Sequence, residues 1–254
     1  MNVATAKALA EGRRSGHKMA SYPADVPAGV ADAIAVQQAV TAQLGWRPVG
    51  WKVGCTSEQA QTSLKTDGPF FGPVYQERSF ASGDFVVTCN DNWRVIEPEI
   101  VFRMGRRLEP RDRPYGIDEA LAAVASVHPG IEIVNPRLPR GFDDSVPWYI
   151  ADGALNDAII LGAPMKPLPA SAYAGIAAEA TRNGAFVTDG RGANALGGPE
   201  RVLAWLANAL SANGIALEAD AIVSTGVITG LFRADLGDRI VATFGELGTV
   251  SAAF

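Results

Sequence analysis

Histidine and cysteine are scarce in this chain, and their scarcity removes whole classes of chemistry. Only His17 and His128, and only Cys55 and Cys89, occur among its 254 residues. Two cysteines so far apart supply neither a disulfide framework nor a thiolate zinc site, and they suit a reducing compartment. Neither histidine stands near a Cys, Ser or Asp in a recognisable nucleophile motif, which argues against a Ser-His-Asp or Cys-His hydrolase. Basic charge is also short. Lys plus Arg total 22 against 27 Asp plus Glu, a formal charge of -5, and no basic stripe is present, so nucleic acid is not an expected partner. No segment approaches the roughly 20 apolar residues that cross a bilayer, so no membrane partner is expected. Met1 to Arg14 lacks the continuous apolar stretch of a signal peptide, and the expected location is cytoplasmic.

With 48% hydrophobic and 19% charged residues, the chain has enough apolar material to bury one sizeable core. The first fifty residues read as helical. Val36, Val40 and Leu44 repeat at helical spacing, Gly45 is placed to end the helix, and Pro23 and Pro27 separate it from an Ala-rich segment before it. We therefore expect a helical cap over residues 1–49 and a β-rich catalytic domain over residues 50–254.

From Gly50 onward, short β-branched runs are cut by Gly, Pro and Asn: Phe85 to Thr88, Ile131 to Val134, Ala158 to Leu161, Ala221 to Ser224 and Ile240 to Phe244. Asn183-Gly184 signals a hairpin because both residues tolerate positive φ. Helices are expected from Ile117 to Val127 and from Pro199 to Ala212. Gly190-Arg191-Gly192 lacks the third glycine of a dinucleotide fingerprint. The expected class is α+β with a dominant, mostly antiparallel or mixed sheet.

Val95-Ile96-Glu97-Pro98-Glu99-Ile100-Val101-Phe102 carries the strongest chemical signal. Apart from its two acids it reads as a buried strand, and alternation puts Glu97 and Glu99 on one face about 6 to 7 Å apart. Pro98 cannot donate to a ladder, which suggests a sheet edge or an irregular start. Two carboxylates on a buried face need a cation between them; alternatively they flank a solvated edge and pair with Arg94 or Arg103. Glu132 adds a third carboxylate inside an apolar run with no adjacent base. Three oxygen ligands suit Mg²⁺ or Mn²⁺ and leave positions open for a bidentate 2-oxo acid. In Gly50-Trp51-Lys52-Val53-Gly54, a lysine lies in an apolar strand bracketed by glycines. It either binds a carboxylate or, with a lowered pKa, shuttles a proton, or it is a snorkelling surface lysine.

These stretches together resemble the fumarylacetoacetate hydrolase family, in its branch of 2-keto-4-pentenoate hydratases and 4-oxalocrotonate decarboxylases. The similarity includes Asp32 to Gln38, Gly50 to Thr56, Pro69 to Gly72, Glu97-Pro98-Glu99, Gly130 to Val134, Gly190-Arg191-Gly192-Ala193, Leu196-Gly197, Ser224-Thr225-Gly226 and Gly245 to Phe254. The resemblance implies a mixed β-sandwich roll, Mg²⁺ or Mn²⁺ on Glu97, Glu99 and Glu132, homo-oligomers, and association with a related family member. It implies an active-site role for Lys52 and a substrate-carboxylate role for Ser224, Thr225 and Gly226.

Two departures stand out. Phe70 replaces the usual acid before the Phe-Gly of the loop after the lysine motif, and Leu155 replaces a polar residue in Asp152-Gly153-Ala154-Leu155. Both would make a substrate-binding pocket drier and more apolar. Asp67 is a candidate replacement for the missing acid. The implied activity is hydration of a 2-hydroxy-2,4-dienoate or its 2-oxo-4-enoate tautomer in aromatic-compound catabolism. Alternatives are decarboxylation of a 4-oxalocrotonate-like acid, acylpyruvate C–C hydrolysis with His17 as the lid histidine, and a non-catalytic binding or scaffold subunit.

Overall fold

A computed structural model describes residues 3–87 and 93–254. Two helices open it, α1 (Val3–Ser15) and α2 (Val30–Leu44). On α2 the buried positions Ala33, Ile34, Val36, Gln37, Val40 and Leu44 follow the helical period, and Gly45 ends it in the left-handed region at φ 65. Each Val or Leu fully buried this way contributes about 1.5–3 kcal/mol. The chain continues through β1 (Pro48–Gly54), α3 (Glu58–Leu64), β2 (Phe70–Tyr75), β3 (Ser79–Ala81), β4 (Val95–Met104), α4 (Ile117–Leu121), β5 (Val124–Val134), α5 (Val146–Ala151) and β6 (Asn156–Leu161). It ends through α6 (Ala170–Tyr173), β7 (Ala177–Arg182), β8 (Ala185–Arg191), α7 (Pro199–Ala212), β9 (Ile222–Val227), β10 (Phe232–Arg233), β11 (Arg239–Thr243) and β12 (Thr249–Ala253).

The strands form two sheets. An eight-stranded mixed sheet runs β2-β1-β9-β4-β5-β6-β3, with β10 paired to β4, and a four-stranded sheet runs β12-β11-β7-β8. In the large sheet β1 pairs parallel with β9 and β3 parallel with β6, and the other pairs are antiparallel. The small sheet is wholly antiparallel, and its β11 and β12 pack on β5 and β6. The protein is thus an α+β mixed sandwich roll. Its main core contains side chains from α1 and α2 as well as from both sheets.

Several sequence expectations hold. Asn183 and Gly184 make the β7–β8 hairpin with φ 55 and 82, and α7 spans the expected residues, with Pro199 in its first turn. The helix expected over Ile117 to Val127 stops at Leu121, because β5 starts at Val124. There Val124 and Val127 pair with Met104 and Phe102, so long-range pairing of β-branched residues overrides local helical pattern. Phe85 makes a single bridge to Ala253, while Thr88 and Cys89 lie outside the described residues.

Pro98 is not at an edge. Strand β4 lies between β9 and β5, and its pairing with β9 shifts register between Glu99 and Val101. The Pro98 carbonyl accepts from Ile228 N at 3.1 Å. The return bond that proline cannot donate is replaced, since Ile228 O accepts from the Asn194 side-chain amide at 2.9 Å.

Candidate active site

Strand register assembles the carboxylates. Glu97 lies directly across from Glu132 in the β4–β5 ladder, and Glu99 across from Gly130. The period of two keeps Glu97 and Glu99 on one face, and the three side chains offer oxygens that all lie within 4.8 Å of one another. Glu99 and Glu132 are fully buried, and Glu97 is partly so.

The two buried carboxylates are satisfied on one side only. Glu99 Oε2 accepts from Ser224 Oγ at 2.5 Å and from Gly226 N at 2.8 Å. Glu132 Oε1 accepts from Asn156 Nδ2 at 2.9 Å and lies 3.1 Å from Lys52 Nζ. Their other oxygens, Glu99 Oε1 and Glu132 Oε2, are buried with no hydrogen-bond partner. An orphaned carboxylate oxygen in a protein interior is costly unless a cation meets it. An all-oxygen donor set at this spacing suits a hard divalent cation, whose bonds to oxygen are about 2.0–2.6 Å long. Mg²⁺ or Mn²⁺ therefore fits Glu97, Glu99 and Glu132.

The electrostatics agree. Burial, opposed by Lys52 and reinforced by Glu132, lifts Glu97 to about 7. Burial followed by repulsion from Glu132 and Glu97 pushes Glu99 well above the usual carboxylate range. Burial works to lower Lys52, but Glu132, Glu97 and Glu99 outweigh it and raise the amine to about 12. With no cation among the carboxylates, Lys52 is thus held as the ammonium, and it is 2% exposed instead of snorkelling on the surface. Three acids around one ammonium leave negative charge for a divalent ion to neutralise.

Above this bed opens a cavity of about 540 Å³, lined by Lys52 and Glu97 and by the apolar side chains of Leu64, Phe70, Val134, Phe142, Tyr149, Leu155, Val227 and Leu231. Cys55, Thr56, Ser57, Gln59, Ser63 and Thr229 add smaller polar groups. Burial, partly offset by Lys52, raises the Cys55 thiol to about 11, so it is no ready nucleophile. Gly226 belongs to the lining at φ 88, and a Cβ there would come within 2.2 Å of Thr56 Oγ1. Only glycine allows its N–H to reach Glu99 at this point.

Leu155 enters the cavity from an unusual turn. Gly153, Ala154 and Leu155 have φ 58, 54 and 64, three consecutive residues in the left-handed region. The two non-glycine residues cost roughly 1 kcal/mol or more each, so the surroundings must hold them. The turn aims the Ala154 carbonyl at Lys52 Nζ, 3.1 Å away.

Lys52, Glu97, Phe70, Leu155 and Gly226 thus meet at the cavity, with Glu99 and Glu132 beneath. Two expectations need correction. Asp67 is exposed and outside the cavity lining, so it does not replace the missing acid. Ser224 and Thr225 are buried on β9, beside β4 in the same sheet. Their hydroxyls donate to Glu99 and to the Ile100 carbonyl (2.7 Å) and do not line the cavity, whereas Gly226 does. His17 is exposed and outside the lining, and His128 bonds Gly162 O (2.9 Å) and Ser126 Oγ (3.0 Å) away from it. Sequence reasoning missed Asn156, Tyr149 and Phe142. Only Asn156 had a signal, a polar residue directly after the Asp-Gly-Ala-Leu motif.

A mixed two-sheet fold carrying three convergent carboxylates on neighbouring strands defines a class. The fumarylacetoacetate (FAA) hydrolase C-terminal family model matches residues 61–254, and the chain belongs to this family. It is 31% identical over 257 residues to the 2-keto-4-pentenoate hydratase of Paraburkholderia xenovorans (strain LB400), covering 98% of this chain and 93% of that one. It is 30% identical over 249 residues to a 4-oxalocrotonate decarboxylase from Pseudomonas sp, covering 97% and 95%. Among solved structures it resembles the 4-oxalocrotonate decarboxylase from Pseudomonas putida G7, complexed with magnesium and adipate, with TM-score 0.89, 28% identity and coverage of 99% and 96%.

Proposed function

We propose that this protein is a divalent-metal-dependent lyase of small 2-oxo acids that hydrates a 2-hydroxy-2,4-dienoate, adding water across the distal double bond to give a 4-hydroxy-2-oxo acid. The observation that carries the reading is the pair of orphaned oxygens, Glu99 Oε1 and Glu132 Oε2, beside the Lys52 ammonium at the foot of an apolar cavity. A cation bound there supplies Lewis-acid stabilisation of negative charge on a 2-oxo acid. The chain's own groups do the rest. Two N–H groups of Lys52 go to Glu132 and Ala154, leaving the third to donate to a substrate oxygen as charge builds on it. Phe70, Leu155 and Leu64 shield the reacting end from bulk water and favour an uncharged tail. Relatives named as hydratases over almost the full length support the reading.

Decarboxylation of a 4-oxalocrotonate-like acid is a second reading. It is favoured by the similarity to a decarboxylase sequence and structure over nearly the full length, and losing CO₂ needs no activated water, but the apolar Phe70 and Leu155 suit the second carboxylate of such an acid less well than an uncharged tail. Incubating the Mn²⁺-loaded protein with 2-hydroxypenta-2,4-dienoate is the test. Loss of the dienoate absorbance with a 4-hydroxy-2-oxo acid as product and no bicarbonate supports hydration. Bicarbonate release from 4-oxalocrotonate selects the second reading, and turnover of neither rejects both.

The division into a cap over residues 1–49 and a catalytic part over residues 50–254 belongs to this proposal, as does a cytoplasmic homo-oligomer able to associate with a related family member. The exposed apolar side chains Phe85 and Val87 support an interface between copies. No helix among the described residues is long and apolar enough to cross a membrane.

A further inference from the structure

Arg13 lies on α1, outside the matched residues 61–254, yet its guanidinium is buried beneath the active site. Its Nη1 donates to the Asn156 carbonyl at 2.6 Å. Its Nη2 donates to the Asp152 carbonyl and pairs with Asp152 Oδ1 at 3.0 Å. These two carbonyls bracket the left-handed run Gly153, Ala154 and Leu155. A Cβ on Gly153 would sit 2.9 Å from Arg13 Nη2, so the guanidinium packs directly on the turn.

The bracketed segment touches the reacting groups three times. Ala154 O accepts from Lys52, Asn156 Nδ2 donates to Glu132, and Leu155 lines the cavity. A turn of strained residues relaxes unless its surroundings hold it. A planar guanidinium with donors fixed in a fork spans two carbonyls and a carboxylate at once, as an ammonium does not.

We propose that Arg13 is a positioning residue: its buried guanidinium clamps the carbonyls at both ends of the left-handed run and thereby holds the Ala154 carbonyl on Lys52 and the Asn156 amide on Glu132. The N-terminal helix is then part of the catalytic apparatus, although it contributes no group that touches substrate. This role rests on the 2-oxo acid reading above, and the test separates the two.

The readouts are Mn²⁺-dependent deuterium exchange at C3 of 2-oxopentanoate, which requires enolisation but neither hydration nor decarboxylation, and amide hydrogen exchange of residues 153–156. In Arg13→Lys, which keeps the charge facing Asp152 but loses the fork, deuterium exchange into the substrate slows about tenfold at saturating substrate. KM and Mn²⁺ affinity stay within about threefold, and amide exchange at 153–156 speeds up while β4 stays protected. Arg14→Gln, an exposed neighbour on the same helix, changes none of these. A folded Arg13→Lys protein with wild-type exchange rates in both measurements overturns the clamp. If that variant does not fold, Arg13→Gln, which leaves the turn's own residues unchanged and keeps a single amide donor in place of the fork, is held to the same outcomes. A wild-type protein that exchanges no substrate deuterium sinks the enolisation reading, and the clamp is then decided by amide exchange alone.

Discussion

The bed of the cavity and its walls are built on opposite principles. Glu97, Glu99 and Glu132 stand on interior strands of the large sheet, where register fixes which oxygens meet. Phe70 begins β2, Leu64 ends α3 and Leu155 sits on a turn, so the walls come from element ends and connections. Strand register does not drift by fractions of a residue, because a slip of one turns every side chain to the other face. On the proposed function, the reactive end of the substrate meets the rigid part of the molecule, and the tail meets the part that tolerates substitution. Chemistry and specificity become separable by mutation.

The largest expected effect tests the bed. Glu132→Gln removes one carboxylate charge and the ion-pair partner of Lys52, and turnover should fall by about 1000-fold. Wild-type protein should gain thermal stability with Mn²⁺, about 2.7 kcal/mol at a hundredfold excess over Kd, and lose it with a chelator. The variant should show no such gain by calorimetry. A Glu132→Gln protein that still binds Mn²⁺ tightly would place the metal elsewhere.

Next comes the group between bed and wall. Lys52→Met should lower kcat by about 100-fold, within the range for a lost donor or proton-transfer group. Mn²⁺ binding, followed by isothermal titration, should tighten, because the one ammonium that competes for the carboxylates is gone. Weaker Mn²⁺ binding would make Lys52 a structural support of the carboxylates.

The wall should show smaller, graded effects. Each methylene buried against Phe70 and Leu155 contributes about 0.8 kcal/mol, so lengthening an uncharged substrate tail by one carbon should lower KM about fourfold. Leu155→Ser should cancel that gain while leaving kcat and Mn²⁺ affinity nearly unchanged. A large drop in kcat instead would show that the Leu155 side chain itself, and not only the backbone of the turn, supports the bed.

The two regions also differed in how far the sequence revealed them. Glu132, in an apolar run without a neighbouring base, tips the reading towards a buried cation site, whereas Glu97 and Glu99 taken alone also allow pairing with Arg94 or Arg103. Phe70 and Leu155 stood out against the family pattern. The irregularity expected at Pro98 is the register shift beside it, but the edge alternative fails because the missing donor is compensated by Asn194, ninety-six positions along, which no local pattern encodes. Ser224 was assigned to substrate because a hydroxyl beside glycines suits either partner, and only the fold shows that Glu99 takes it. Arg13 had no signal. Its partner Asp152 is 139 residues away, and helical periodicity marks the position as buried without saying what it touches. The helix expected through Val127 failed for the same reason, as Met104 and Phe102 of β4 pair with Val124 and Val127 from well upstream.

The smallest expected effect concerns the charged support under the bed. Asp157 is buried between Arg137, at 2.7 Å, and Arg78, at 3.3 Å. Burial would raise its carboxyl, but Arg137 and then Arg78 outweigh that and hold it below the ordinary value of 3.8. A carboxyl depressed in the folded state stabilises the fold at every pH above the unfolded value, and that contribution is lost as pH falls through the folded one. Asp152 behaves oppositely, since burial beats the pull of Arg13 and raises it, so its protonation on acidification does not oppose folding in the same way. The melting temperature should therefore drop as pH falls below about 4, and Asp157→Asn, which has no carboxyl to protonate, should flatten that part of the acid limb. Since Arg137 also donates to the Asn135 carbonyl and through its backbone N–H to Asp152, the variant should still fold near neutral pH. An acid limb of unchanged steepness would mean that other carboxyls held below their ordinary values, such as Asp238, govern acid unfolding.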